Sequence, residues 1–230
     1  MQVVHQWQSM LVHIRALEHE FHRSPNSVGL LAVSKRQPLD KILALIEAGQ
    51  KDFGENYLSE ALLKVSALKE KDVVWHFIGR LQSRKIPEIA LNFDWVHSVS
   101  RIKEIKLLNQ HRLENAPPLN ICLQCNLEGT ENKSGAAPAE LEALAATVQQ
   151  QPKLRLRGLM TFPEPHDTFE AQRKPFKELR EAASKLLQKG YDVSTLSMGT
   201  SHDYKAAIAE GATLIRLGET IFGPREGEDA

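Results

Sequence analysis

The chain has 230 residues, 42% of them hydrophobic and 25% charged, the balance of an ordinary water-soluble globular protein. Lys plus Arg and Asp plus Glu both number 29, so the zero net charge gives no electrostatic reason to expect nucleic acid or an anionic membrane surface as partner. No apolar run approaches the ~20 residues that span a bilayer. Residues 1–23 also lack the unbroken apolar stretch of a signal peptide, so a cytoplasmic protein is expected.

In chain order, Val4, Trp7, Leu11, Ile14, Ala16, Leu17 and Phe21 make one stripe of an amphipathic helix over residues 1–23. The run Val28–Ser34 predicts a first strand. In the helix after it, Pro38 suits the first turn, Leu39, Ile42, Leu43 and Ile46 form the stripe, and Gly49 ends it. A second strand falls around Asp52-Phe53-Gly54, with a helix from about Tyr57 to Leu68. The third is Val73–Gly79, followed by a helix around Arg84–Leu91. The fourth is Asp94–Val99, with Ser100 able to cap the next helix.

Pro117-Pro118 marks a loop before the fifth strand, Asn120–Asn126. Its helix starts near Pro138 and carries Leu141, Leu144, Ala145 and Val148. The sixth strand is Leu154–Phe162, then a helix through Phe176, Leu179, Ala183 and Leu186. The seventh is Thr195–Gly199, then a short helix through Tyr204, Ala207 and Ile208. The eighth is Thr213–Gly218, and the polar tail from Pro224 is expected to fray.

Eight β-α units in about 200 residues is the arithmetic of an α/β fold, a (β/α)8 TIM barrel, here with an added N-terminal helix. A doubly wound open sheet would show a Gly-rich phosphate fingerprint after its first strand, and Ala32-Val-Ser-Lys35 carries none. No Pro-, Gly- or Ser-rich linker divides the chain, so residues 1–230 are expected to form a single domain. Cys122 and Cys125 lie at an odd offset on the fifth strand and point to opposite faces. They are expected to be core cysteines rather than a redox pair.

Reactive groups of a TIM barrel sit at the C-terminal strand ends. Lys35 ends the first run and shares a face with Leu31 and Val33. At the rim of an apolar core its ammonium would be disfavoured, and a neutral amine is what Schiff-base chemistry needs; a solvated rim lysine is the alternative. Gly199-Thr200-Ser201 and Gly218-Glu219-Thr220 follow strands seven and eight, the common phosphate-binding place of this fold, although glycines there can also serve only to turn the chain. Arg216 shares a face with Gly218 and needs an acceptor inside the barrel, either a buried ion pair or the pyridine nitrogen of a cofactor. His76 reads equally as a core histidine or a cofactor contact. Lys133 is a rival Schiff-base lysine, placed in a polar loop that favours its charged form. The four histidines of the first helix have no ligand-like partners, so no metal is expected.

At these residues the chain resembles the YggS/PROSC family of pyridoxal 5′-phosphate (PLP) homeostasis proteins. The matching segments are Ala32-Val-Ser-Lys35, Phe53-Gly-Glu-Asn-Tyr57, His76-Phe-Ile-Gly-Arg-Leu-Gln82, Lys133-Ser-Gly135, Arg157-Gly-Leu-Met160, Leu196-Ser-Met-Gly199, and Arg216-Leu-Gly218 with Ile221-Phe-Gly223. The resemblance implies the barrel of the alanine racemase N-terminal domain. It further implies PLP as a Schiff base on Lys35, phosphate near Ser201 and the Gly218 loop with the Glu219 backbone, and Arg216 facing the pyridine nitrogen. Asn56, His76 and Met160 match pocket positions. Three residues depart from the family pattern: Arg84 for an asparagine, Thr200 for a methionine, and Glu219 for Ser or Thr. A carboxylate at 219 beside a phosphate would repel it.

An arginine on the pyridine nitrogen leaves that nitrogen unprotonated and the ring a weak electron sink. Racemases of this fold add a tyrosine from a further β-domain, and the dozen residues after the eighth strand leave no room for one. A PLP carrier in vitamin B6 homeostasis is therefore expected, monomeric, without robust turnover, taking other B6 vitamers and meeting apo PLP-enzymes transiently. The alternatives are a minimal PLP-dependent racemase or lyase, with His76 or Tyr57 relaying a proton, and a regulatory protein reporting cofactor status to a partner.

Overall fold

The structure is a computed structural model that describes residues 2–129 and 134–223. Lys133 and the tail from Pro224 lie outside the described residues. Eight parallel strands close into a barrel in sequence order: β1 (Gly29–Val33), β2 (Asp52–Glu55), β3 (Val74–Phe77), β4 (Trp95–Val99), β5 (Leu119–Cys125), β6 (Leu154–Thr161), β7 (Thr195–Ser197) and β8 (Leu214–Leu217). β8 returns to β1 with Arg216 opposite Leu31. The helices are α1 (Gln2–Glu20), α2 (Leu39–Glu47), α3 (Leu58–Ala67), α4 (Ile86–Asn92), α5 (Ile102–His111), α6 (Leu141–Gln149), α7 (Phe169–Gln188), α8 (Tyr204–Ala209) and α9 (Glu219–Phe222). Among the described residues, no helix is long and apolar enough to cross a membrane.

Each strand sends alternate side chains to the helices and to the barrel axis. The outward residues form one apolar core with the helices. Leu30 and Ala32 of β1 with Ile42 and Leu45 of α2, and Leu159 and Leu196 with Phe176 and Leu179 of α7, all belong to this one cluster. Such strands, buried on both faces, read as the short continuous apolar runs from which they were predicted. α9 carried no such signal, because four residues are too few to show a period.

α1 packs across α2, α8 and α9. Its buried seam is Val3, Trp7, Met10, Ile14 and Leu17, whereas Val4 and Leu11 are half-buried and Ala16 is exposed. The steps of four and three residues keep that seam on one line of a 3.6-residue helix, which the predicted stripe blurred. Polar bonds fix its register: Trp7 Nε1 donates to Gln50 Oε1 at 2.8 Å, and the buried Glu18 carboxylate accepts the Val28 and Asn26 amides.

Local expectations needed correction at two places. Ser100 does not cap α5. Glu104 reaches back instead, its Oε2 accepting the amides of Ser100 at 2.9 Å and Arg101 at 3.1 Å. β1 stops at Val33, so Lys35 lies beyond the strand in a tight turn whose next residue, Arg36, takes a left-handed φ of 58°. Cys122 and Cys125 are free and buried, and burial pushes both thiols up to about 12. Cys125 packs in the outer core, while Cys122 is near enough to Arg216 to feel its charge.

Candidate functional site

A cavity of about 400 Å³ opens at the C-terminal ends of the strands. Lys35, Asn56, Met160, Ser201, Arg216, Gly218 and Glu219 all line it, together with Val33, Ile78, Gln124 and Phe162. Seven of the eight predicted site residues, spread over about 185 positions of sequence, thus meet at one opening, as strand ends of a closed barrel must.

The turn that presents Lys35 is clamped from below. Ser34 Oγ donates to Glu55 Oε1 at 2.6 Å, and the Ser34 carbonyl accepts from Lys64 Nζ at 2.6 Å. Lys64 is itself buried and also donates to Glu55 Oε1 at 2.8 Å and Glu60 Oε1 at 2.6 Å. Glu60 accepts the Arg36 amide. Burial raises the Glu55 pKa, with Lys64 opposing the shift. The half-buried Lys35 side chain therefore projects from a fixed backbone.

Asn56 follows β2 at a point of close chain approach. A Cβ on Gly79 would lie 2.1 Å from the Asn56 carbonyl oxygen, so only glycine fits there. Asn56 Oδ1 is buried with no hydrogen-bond partner among the described residues. An orphaned acceptor in a cavity wall costs about 1–3 kcal/mol unless a ligand or water meets it.

Ser201 and Thr220 join the loops after β7 and β8, with Thr220 Oγ1 donating to Ser201 Oγ at 2.7 Å. Gly199 makes the first of these loops possible. Its φ is 94°, and a Cβ there would sit 2.6 Å from the Ala207 Cβ. Thr200 closes the same loop on Asp203, its amide and hydroxyl both donating to Oδ1, at 2.6 and 2.8 Å. The Glu219 side chain is 54% exposed, with His202 3.9 Å away, so it can turn to solvent while its backbone stays at the wall. Arg84 is exposed and outside the cavity.

Ile215 and Leu217 belong to the outer core, so alternation turns Arg216 inward. Its Nη1 donates to the Ser197 carbonyl at 2.6 Å and to Ser197 Oγ at 3.0 Å, and its Nη2 to the Thr161 carbonyl at 2.9 Å. Burial lowers its pKa to about 10, with Asp203 opposing, so it stays charged at neutral pH. Nε–H makes no bond to the described residues, leaving a donor for an acceptor in the cavity.

His76 is placed differently from the other seven. It lies beneath the cavity in the barrel interior. Its Nε2 is 3.0 Å from Asp52 Oδ1, its Nδ1 is 2.9 Å from His97 Nε2, and its ring stacks on Trp95. His97 Nδ1 is 2.8 Å from Ser197 Oγ. His97 and Ser197 were not singled out in the sequence. The available signal was a polar residue between outward apolar ones, as in Val96-His97 and Leu196-Ser197-Met198.

The sequence model of the family described as alanine racemase, N-terminal domain, matches residues 12–226. A curated relative from Pseudomonas aeruginosa, named pyridoxal phosphate homeostasis protein, is 49% identical over 213 residues, covering 93% of this chain and 91% of the relative. One of the same name from Escherichia coli is 43% identical over 207 residues, covering 89% and 88%. Among solved structures, PipY of Synechococcus elongatus with PLP bound superposes with a TM-score of 0.84 at 34% identity, covering 96% of this chain and all of that one.

Proposed function

The chain belongs to the family of pyridoxal phosphate homeostasis proteins built on the alanine racemase N-terminal domain, and from that premise we propose that it binds PLP reversibly as a factor of vitamin B6 homeostasis. The observation that carries this reading is Arg216, a buried cation with an unused donor, lining the same cavity as Lys35.

Bound PLP supplies an aldehyde that condenses with amines and a ring that draws electron density. In this reading Lys35 Nζ provides the amine for a Schiff base. Ser201 and the backbone at Gly218 and Glu219 take the phosphate, at loops whose glycines admit close approach. Asn56 Oδ1 accepts a hydrogen from the ligand, and Met160 packs against it. Arg216 donates to the ring nitrogen. Because a guanidinium cannot give up its proton or accept one, that nitrogen stays unprotonated and the ring draws electrons weakly.

Holding suits this arrangement better than turnover. Among the described residues, none of the tyrosines Tyr57, Tyr191 and Tyr204 lines the cavity. A monomeric cytoplasmic carrier of this kind would limit free aldehyde, pass PLP to apo-enzymes and admit other B6 vitamers.

Borohydride reduction of the PLP-loaded protein, followed by peptide mass mapping, tests the proposal. The label is expected on Lys35 and lost in Lys35→Ala. A label elsewhere in the wild type, or an undiminished visible band in Lys35→Ala, would overturn the assignment.

A further inference from the structure

TIM barrels fill their interior with layers of branched apolar side chains. Here a file of polar ones crosses it instead. Trp75, Phe77, Val96, Leu196 and Met198 all join the outer core, so alternation points His76, His97 and Ser197 at the axis. His97 and Ser197 have no exposed surface, and His76 is 2% exposed.

The hydrogens of this file can be assigned by elimination. Arginine only donates, so in the 3.0 Å contact Ser197 Oγ accepts from Arg216 Nη1. The remaining side-chain partner of Ser197 is His97 Nδ1 at 2.8 Å, the acceptor open to the hydroxyl hydrogen. Burial, then the adjacent His76 and Arg216, hold the His97 pKa well below its ordinary value, so the ring is neutral. With Nδ1 bare, His97 carries its hydrogen on Nε2, which points at His76 Nδ1. His76 Nδ1 must then accept, which places the His76 hydrogen on Nε2, facing Asp52 Oδ1. An ionised carboxylate accepts without donating, so it terminates the file as arginine begins it. Asp52 opens β2, at the opposite end of the barrel from the cavity, with its side chain 43% exposed.

We propose that Asp52, His76, His97 and Ser197 are positioning residues, a one-way hydrogen-bond chain that holds the Arg216 guanidinium so that Nε–H faces the ligand's ring nitrogen. This rests on the reading of Arg216 given above. The chain has a donor-only group at one end and an acceptor-only group at the other, so every intermediate tautomer is fixed. Reversing one link leaves the Ser197 hydroxyl without an acceptor in a buried site.

Histidine side-chain NMR of the full-length protein without PLP tests the direction. Both His76 and His97 are expected neutral with hydrogen on Nε2 at neutral pH. A hydrogen on Nδ1 of either ring, or a doubly protonated His97, overturns the proposal. The second arm measures PLP release from loaded protein. Asp52→Ala, distant from the cavity, is expected to free the His76 tautomer and speed release about threefold to tenfold, the worth of a hydrogen bond. Asp52→Asn keeps an acceptor oxygen and is expected to restore both. Release from Asp52→Ala at the wild-type rate overturns the proposal. Should that variant not fold, Ser197→Ala serves in its place, with faster release and a mixed His97 tautomer expected, and wild-type values for both overturning it. If wild-type protein binds no PLP, the functional reading fails while the tautomer arm still decides the chain.

Discussion

The outside and the inside of the barrel wall are held together by different physics. Outside, Phe53, Ile42, Leu45, Phe176 and Leu179 are fully buried in the apolar core between strands and helices. Their contribution scales with apolar area and tolerates changes that conserve volume. Inside, Arg216, Ser197, His97 and His76 are comparably buried, yet each is held by directional bonds at 2.6–3.0 Å. A neighbour of the right size is not enough for them, because each needs a partner of the right donor or acceptor sense. The outer layer supplies stability, and the inner layer fixes orientation at the cavity floor.

The largest effect expected from this division is in the shell. Phe176→Ala should cost about 3–5 kcal/mol by removing a fully buried ring. Denaturant unfolding measures the loss, and PLP affinity of the folded fraction should stay at the wild-type value. A parallel loss of affinity would break the separation of the two layers.

An intermediate effect belongs to the interior and depends on pH. His97 has a depressed pKa when folded, so the unfolded chain takes up a proton first as pH falls below the ordinary value of 6.5. Its contribution to stability is complete above that pH. Below it, stability should fall by about 1.4 kcal/mol per pH unit until the folded group also titrates. His97→Gln cannot titrate and should show a shallower decline in the same window. Equal slopes in the two proteins would show that His97 is not held neutral.

The smallest expected effect is local to the shell. The Thr168 hydroxyl accepts the Ala171 amide at 3.3 Å and caps α7. Thr168→Ala should cost about 1 kcal/mol at most, read as a small drop in melting temperature, with the His97 tautomer unchanged. A tautomer change on this substitution would mean that the shell steers the interior.

The sequence itself determined the eight strand-helix units and the residues standing at the strand ends. Alternation and helical period are local properties, written within a dozen residues. Lys35, Ser201, Arg216, Gly218 and Glu219 could be chosen because closing the barrel brings all strand ends to one face, whereas Asn56 and Met160 followed only from the family resemblance. The sequence marks the seam of α1 and the cap of α5 less distinctly, since only packing separates rival residues at neighbouring positions. The partners across the barrel were decided by tertiary structure alone. His76 meets His97 from 21 residues away, and His97 meets Ser197 from 100. Alternation says which way a side chain points, but the register of non-adjacent strands decides what stands opposite it. That is why His76, an undecided histidine in the sequence, became a link between Asp52 and the floor of the cavity.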